Sequence, residues 1–427
     1  MSVESGEPTR SGHDTAAAVA IDAGELTFGR GLLALVRPAL QLLQPGGILA
    51  VNSRARSLTD DFHRWCQLQH HEYLGHDKAG DGTDQHMIRR GDLAVPAKER
   101  EAEVNLLIKD GTITAADVLK SVPMPSTADP ASGFAPRGAQ VEPGGPRYPF
   151  TLLERDHVSP PEVAELYDQA ISSQWNANAD IPWSKTPQLA PELERALGQV
   201  MTFLAENELA ALYVPSKFVS QMHPAFAETA MFLATQMADE ARHIDVFLKR
   251  ARAGGGGLGV SSATTAQSLL SLLELTDFTE ATFLLSVLGE GTFVDLLGFI
   301  EEHAPDEVTA EVVRRARSDE TRHVHFGLVH VRHALQNAPT LYQRLENAVR
   351  RRATQMSGIG GAPEPLQDGL TILAAGGTAP KAVARGHEAF RELLHTMHDN
   401  RIKRLEHAGF TSEQADVLSQ LHTPNFM

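Results

Sequence analysis

The chain holds a single cysteine, Cys66, among 427 residues, so no internal disulfide framework can brace it. It also lacks an excess of positive charge. Its 38 Lys and Arg stand against 54 Asp and Glu, a formal net charge of −16 at pH 7, which argues against a general affinity for nucleic acid or anionic membrane surfaces. No apolar run of membrane-spanning length is present. The most apolar window, from Leu269 to Leu288, is interrupted by Glu274, Asp277 and Glu280, and such charges disfavour a span. The first twenty residues carry acids and glycine where a secretory leader would place a basic stretch and an apolar core. Solenoid-length repeats and flavin or nicotinamide fingerprints are missing too. These absences leave a cytoplasmic globular protein with no nucleic-acid and no membrane partner. At 42% apolar and 22% charged residues, it is long enough for two or three domains.

What is there divides into regions of different texture. Residues 1–20 read as a disordered tail. From 21 to 93 short apolar runs alternate with amphipathic segments. Leu32 to Leu43 predicts a helix, closed by Gln44-Pro45-Gly46-Gly47; Ile48 to Val51 predicts a strand; Thr59-Asp60-Asp61 begins a second helix through Trp65 to Gln69. Residues 94–147 are rich in proline and glycine and read as a linker, with a short helix near Ala115 to Leu119. Residues 148–427 are dominated by helical periodicity. Helices are expected at about 161–175, 190–222, 225–252, 265–303, 305–336, 338–355 and 383–407, with breaks at Gly254-Gly255-Gly256-Gly257 and around Gly360 to Pro363.

Within that half one short pattern occurs twice. Asp239-Glu240-Ala241-Arg242-His243 returns as Asp319-Glu320-Thr321-Arg322-His323. Residues three apart share a helix face, so each unit offers one carboxylate and one imidazole to a single point. Two such helices supply half of a dinuclear metal site, and the other half needs a lone Glu from each of two partner helices. Glu290 lies in the apolar stretch Val287-Leu288-Gly289-Glu290-Gly291-Thr292-Phe293, where an unpaired carboxylate is costly. Its flanking glycines weaken a helix by about 1 kcal/mol each, which suggests room for a shifting carboxylate, oxygen or substrate. For the first unit Glu208 falls in phase with Val200, Met201, Leu204 and Ala211, whereas the alternative, Glu206, lies on another side.

Oxygen and imidazole donors suit divalent iron; manganese or a mixed iron–manganese pair fits the same ligands, and four carboxylates balance two such cations. Cysteine is absent from the set, which disfavours iron–sulfur or structural zinc. A metal-bound His donates its second ring N–H to a carboxylate. Asp239 is therefore expected to serve His323 and Asp319 to serve His243, with Arg242 and Arg322 neutralising the two acids. His330, Tyr213 and the Arg350-Arg351-Arg352 run have plainer readings as a packed histidine, a packing tyrosine and a solvated helix end.

The doubled motif resembles the ferritin-like di-iron carboxylate superfamily, in the branch with ribonucleotide reductase small subunits, multicomponent monooxygenases and arylamine N-oxygenases. Gln174-Trp175 and Asp180-Ile181-Pro182-Trp183 look like the lead-in before the bundle in several members. The resemblance implies an all-α four-helix bundle with extra helices and the ligands Glu208, Glu240, His243, Glu290, Glu320 and His323. Arylamine N-oxygenases add a third histidine one turn before the last Glu; here that position is Ala316, so their activity is not carried over.

The front region resembles the TusA-like (SirA-like) sulfur-carrier domain, a small two-layer α/β fold. The matching pieces are Ile21-Asp22-Ala23, Leu43-Gln44-Pro45-Gly46-Gly47, Asp61-Phe62, Trp65-Cys66, His71-Glu72 and Ile88-Arg89-Arg90-Gly91. The family's sulfur-carrying cysteine starts its first helix, where this chain reads Phe28-Gly29-Arg30-Gly31. No thiol is available there, which implies a docking or assembly role.

The expected function is a non-haem di-iron oxidoreductase activating dioxygen to oxidise or hydroxylate an organic small molecule, with an external electron donor and a homodimeric assembly. The alternatives are a ferroxidase or metal-handling protein, and a non-catalytic assembly protein stabilised by its metals.

Overall fold

The computed structural model describes residues 16–78, 82–91, 111–139, 141–142, 144–357 and 361–422. Most of the expected tail, residues 1–15, the last two residues of the expected front domain, 92–93, and residues 94–110 of the expected linker lie outside them. The chain forms two compact units, one of residues 1–100 with 138–145, the other of residues 101–137 with 146–427.

In the first unit β1 (Val19–Gly24), α1 (Leu32–Gln41), β2 (Ile48–Ser53), α2 (Thr59–Leu68), β3 (Glu72–Lys78) and β4 (Asp84–Arg89) follow in order. The sheet order is β1-β2-β4-β3. β1 and β2 are parallel, and the other pairs are antiparallel. Side chains two apart on a strand share a face, so Leu49 and Val51 meet Ala23, Ile88 and the apolar faces of α1 and α2, including Leu32, Val36, Phe62 and Trp65. The Pro45-Gly46-Gly47 turn is tied to Arg90 by two backbone hydrogen bonds of 2.8 Å. His71 Nδ1 accepts from the Gly91 N–H at 3.0 Å. A Cβ on Gly91 would lie 1.5 Å from the His70 carbonyl oxygen, so only glycine fits.

The second unit is helical: α3 (Ala115–Leu119), α4 (Val163–Ser172), α5 (Pro191–Val219), α6 (Ala227–Ala253), α7 (Ala263–Leu273), α8 (Phe278–Thr282), a π segment (Phe283–Glu290), α9 (Gly291–Glu302), α10 (Glu307–Asn337), α11 (Leu341–Gln355), α12 (Glu364–Ala375), α13 (Pro380–His407) and α14 (Ser412–Leu421). Proline opens α5, with Glu192 and Glu194 in its first turn, where fixed φ and negative charge suit a helix start. The Asp306 side chain caps α10 by accepting from the Thr309 N–H. Buried Arg250 on α6 holds these starts together, 2.7 Å from Asp306 and 3.3 Å from Glu194. α5 packs along α6, and α10 packs against α6, α9 and the π segment. Leu197, Leu204, Phe232, Phe247, Leu288, Leu296, Val312 and Phe326 lie in their common core.

Three sequence expectations need correction. The helix expected at 265–303 is broken: α7 stops at Leu273, and Asp277 caps a new start by accepting from the Glu280 N–H at 2.9 Å. Part of the expected linker is ordered on the helical unit. Arg137 donates to the Ala225 carbonyl at 2.6 Å and pairs with buried Glu228, while Ala128 and Leu153 share a backbone hydrogen bond. Two helices, α12 and α14, were not anticipated. Among the described residues one helical stretch, Phe278–Glu302, is long and apolar enough to cross a membrane, but 83% of its apolar window is buried inside the protein.

Candidate metal centre

Glu240 and His243 stand three apart on α6, and Glu320 and His323 stand three apart on α10. α5 contributes Glu208, in phase with Leu197, Val200, Met201, Leu204 and Ala211, all buried. The π segment contributes Glu290 at its last position. All six side chains are 2% exposed or less.

The structure brings them together as two overlapping sets. Glu208, Glu240, His243 and Glu320 form one, and Glu240, Glu290, Glu320 and His323 form the other; within each, the ligand atoms lie within 4.8 Å of one another. His243 Nδ1 is 3.2 Å from Glu240, 3.2 Å from Glu320 and 3.6 Å from Glu208. His323 Nδ1 is 3.1 Å from Glu240 and 3.5 Å from Glu320. Each imidazole thus turns Nδ1 inward.

The outward nitrogens meet aspartates of the opposite helix. His243 Nε2 lies 3.2 Å from Asp319 Oδ2, and His323 Nε2 lies 3.2 Å from Asp239 Oδ2. Arg322 donates to Asp239 at 2.7 Å and to Asp319 at 2.9 Å. Arg242 pairs with Asp239 and lies 3.3 Å from Asp319. The lead-in before α5 completes this layer: Trp175 Nε1 donates to Asp319 at 2.7 Å and Gln174 Nε2 to Asp239 at 3.2 Å, and the Arg242 guanidinium lies 5.0 Å from the Trp175 ring centre. Burial alone would raise both aspartates, but hydrogen bonds from the histidines and charge from Arg322 hold them below the ordinary carboxylate range.

The inner side is unsatisfied. Glu208 Oε1, Glu240 Oε1, Glu290 Oε2, both Glu320 oxygens and His323 Nδ1 are buried without a hydrogen-bond partner among the described residues. Burial, with Glu320 and Glu240 close by, pushes the Glu208 carboxyl well up; burial and Glu320 do the same to Glu290. Burial opposes charge on His243, but Asp319, Glu208, Glu240 and Glu320 outweigh it and raise the imidazole well above its ordinary range. His323 is raised likewise, chiefly by Glu240 and Glu320 against its burial. Without a metal ion, these carboxylates have only protons, their own and those of the two imidazoles, to offset their mutual repulsion. Two divalent cations, each facing three carboxylates and one imidazole, would satisfy the orphaned atoms, and the donor set fits iron or manganese.

Other expected positions fall elsewhere. Glu206 is half-buried and outside both sets. Tyr213 is 58% exposed, neither packed nor facing the centre. His330 is buried and 3.1 Å from Thr279 Oγ1. Gly291 serves a different neighbour from the one expected: a Cβ there would lie 2.5 Å from Arg404 Nε, so the missing side chain makes room for an arginine of α13. Sequence reading missed Gln236, whose Nε2 donates to Glu290 Oε1 at 3.0 Å. Its signal was available, since it precedes Glu240 by one turn on the same face.

Gln236 and Ser286 also border a narrow apolar crevice of ≈ 10 Å³, room for about one water molecule, lined among others by Val214, Phe218, Leu233 and Phe326. No known protein family and no curated protein matches the chain. Among solved structures it is similar to point mutants of an R2-like ligand-binding oxidase. One, with an aerobically reconstituted Mn/Fe cofactor, is 20% identical, with a TM-score of 0.45 over 57% of this chain and 92% of that one. Another, with an aerobically reconstituted Fe/Fe cofactor, is 19% identical with a TM-score of 0.45 over the same shares, 57% and 92%.

Proposed function

We propose that the helical unit is a non-haem dinuclear metal oxidoreductase that activates dioxygen to oxidise or hydroxylate an organic small molecule, holding two iron ions or an iron–manganese pair. The observation that carries this reading is the pair of overlapping ligand sets with orphaned inward atoms. Glu208 and His243 would hold one ion, Glu290 and His323 the other, and Glu240 and Glu320 both. When bound, such a pair supplies electrons and Lewis acidity towards dioxygen. The chain's own part is to fix the ligands and exclude water. The crossed aspartates orient both imidazoles, and the buried surround keeps the site dry. An external electron donor and a homodimeric assembly belong to the same proposal, the latter checked by light scattering.

The test is oxygen exposure of reduced, iron-loaded protein. Oxygen consumption and an optical change are expected in the wild type and not in Glu240→Ala. Equal behaviour of the two, alongside a metal-dependent melting temperature in the wild type, would leave only the stabilising role.

For the first unit we infer a sulfur-carrier-like fold that no longer carries sulfur and serves docking or assembly. Phe28–Arg30 forms a short turn before α1 and holds no thiol. Cys66 is buried in α2, and burial pushes its thiol up to about 12, so it is not a nucleophile at neutral pH. Persulfide formation on Cys66 under conditions that label a carrier cysteine would overturn this.

A further inference from the structure

The C-terminal helices bury a group of cations well apart in sequence from the metal ligands. Arg352 on α11 is 3% exposed, and Arg401 on α13 and His422 after α14 are each 7% exposed. Two hydroxyls of α7 meet Arg352, Ser271 Oγ at 3.0 Å and Ser268 Oγ at 2.7 Å. Arg401 Nη1 comes within 3.4 Å of Ser419 Oγ on α14, which is itself 3.0 Å from His398 Nδ1. Arg404, one turn after Arg401, donates to Asp295 of α9 at 3.0 Å, and Asn400 occupies the other oxygen of that carboxylate at 2.9 Å.

Around Arg401 these contacts leave charge uncompensated. Hydroxyls are weak dipoles rather than counter-ions, Asp295 is committed to Arg404 and Asn400, and no described carboxylate is bonded to Arg401. Arg401 Nε, Arg404 Nε and Nη2, and His422 Nε2 are buried without a hydrogen-bond partner among the described residues. A guanidinium cannot escape by losing its proton at neutral pH; burial and the neighbouring Arg404 bring Arg401 down only to about 10. His422 can, and burial together with Arg401, Arg352 and Arg404 pushes it well below its ordinary range. It stands as a neutral ring amid fixed positive charge. A buried charge is tolerated when paired, and the planar fork of Arg matches carboxylate and phosphate oxygens two at a time.

We propose that Arg401, Arg404 and His422, with Arg352 beside them, form a binding site for a small oxyanion, a carboxylate or a phosphate, separate from the metal centre. The unfilled donors of Arg401 and Arg404 would grip the anion, and the bare His422 nitrogen, in its N–H form, would complete the seat. Because Arg404 packs against Gly291, next in sequence to Glu290, the seat adjoins the helix that carries a metal ligand.

The full-length, metal-loaded protein, dialysed into chloride buffer, is titrated calorimetrically with inorganic phosphate and separately with succinate at matched ionic strength. Saturable binding of one anion per chain is expected, with a saturable rise in melting temperature. The anion that binds identifies the source as phosphate or carboxylate. Arg401→Gln should weaken binding about tenfold or more, and Arg401→Lys, which keeps the charge and loses the fork, by a smaller factor. Metal content at the wild-type level verifies that each variant is folded. An anion that co-purifies with the wild type in native mass spectra and is lost in Arg401→Gln supports the site equally. It is overturned if no anion co-purifies and neither probe binds saturably, or if Arg401→Gln and Arg401→Lys bind as the wild type does.

Discussion

Glu240 and Glu320 each belong to both ligand sets, whereas Glu208 and His243 belong to one and Glu290 and His323 to the other. Substituting a shared residue should therefore empty both positions. Elemental analysis of Glu240→Ala or Glu320→Ala is expected to find almost no bound metal, and Glu208→Ala or Glu290→Ala about half the wild-type content. Removing an orienting acid should act more gently: Asp239→Asn or Asp319→Asn should weaken metal binding by about 10- to 100-fold, read by competition with a chelating dye. A third expectation concerns His330, which burial, with His333 and His157 nearby, pushes down to about 3 from an ordinary 6.5. Its folded pKa lies below the unfolded one, so the stability of keeping it neutral is complete above about pH 6.5 and is lost as pH falls towards 3. One proton corresponds to about 1.4 kcal/mol per pH unit. Urea unfolding at pH 7, 6 and 5 should show His330→Leu gaining on the wild type by roughly that slope below pH 6.5. At this scale the sequence was readable where chemistry repeated. The two Asp-Glu-x-Arg-His units announced themselves, and helical phase separated Glu208 from Glu206. Trp175 and Gln174 were not assigned their contacts because one Trp or Gln carries no pattern, and only the fold brings them to the aspartates; Gln236 was passed over although it stands one turn before Glu240. Arg352 was read as solvated because Arg350 and Arg351 beside it are exposed, and a run of like charges conceals its one inward member.

Among the elements, the π segment matters most for placing Glu290. All eight of its residues are buried, and its wider turns set the direction in which the last side chain points. Deleting Leu285 should let the segment relax into ordinary helix and rotate Glu290 by about 100°. Retention of about half the metal, with an intact far-ultraviolet circular dichroism spectrum, is the expected result; full metal content would show that the wide turns are dispensable. Nothing in the composition of Phe283 to Glu290 marks this change of hydrogen-bond register, so a sequence reading passes over it. The break at Asp277 was equally hidden, because an aspartate inside an apolar run reads as an interruption until its capping bond to Glu280 is seen. α12 and α14 are short, and packing against α5 and α13 supports them more than their own periodicity.

On the scale of the whole molecule, each unit has its own apolar core, so two melting transitions are expected in calorimetry. Chelation should lower the one belonging to the helical unit, where close carboxylates would be left without cations, and leave the other in place. A single transition that shifts as a whole would show the units melting together. The proline- and glycine-rich stretch reads as a linker from composition, and the order within it does not show there. Residues around Ala128 and Arg137 are fastened by Leu153, Ala225 and Glu228, partners far along the chain that composition cannot reveal. The crossed pairing of each histidine with the other helix's aspartate has a further consequence for inheritance. Neither half of the doubled motif is a transplantable module: a chimera that imports α6 from a relative brings an aspartate that must fit a foreign imidazole on α10. The two helices must therefore drift together, each constraining the substitutions open to the other.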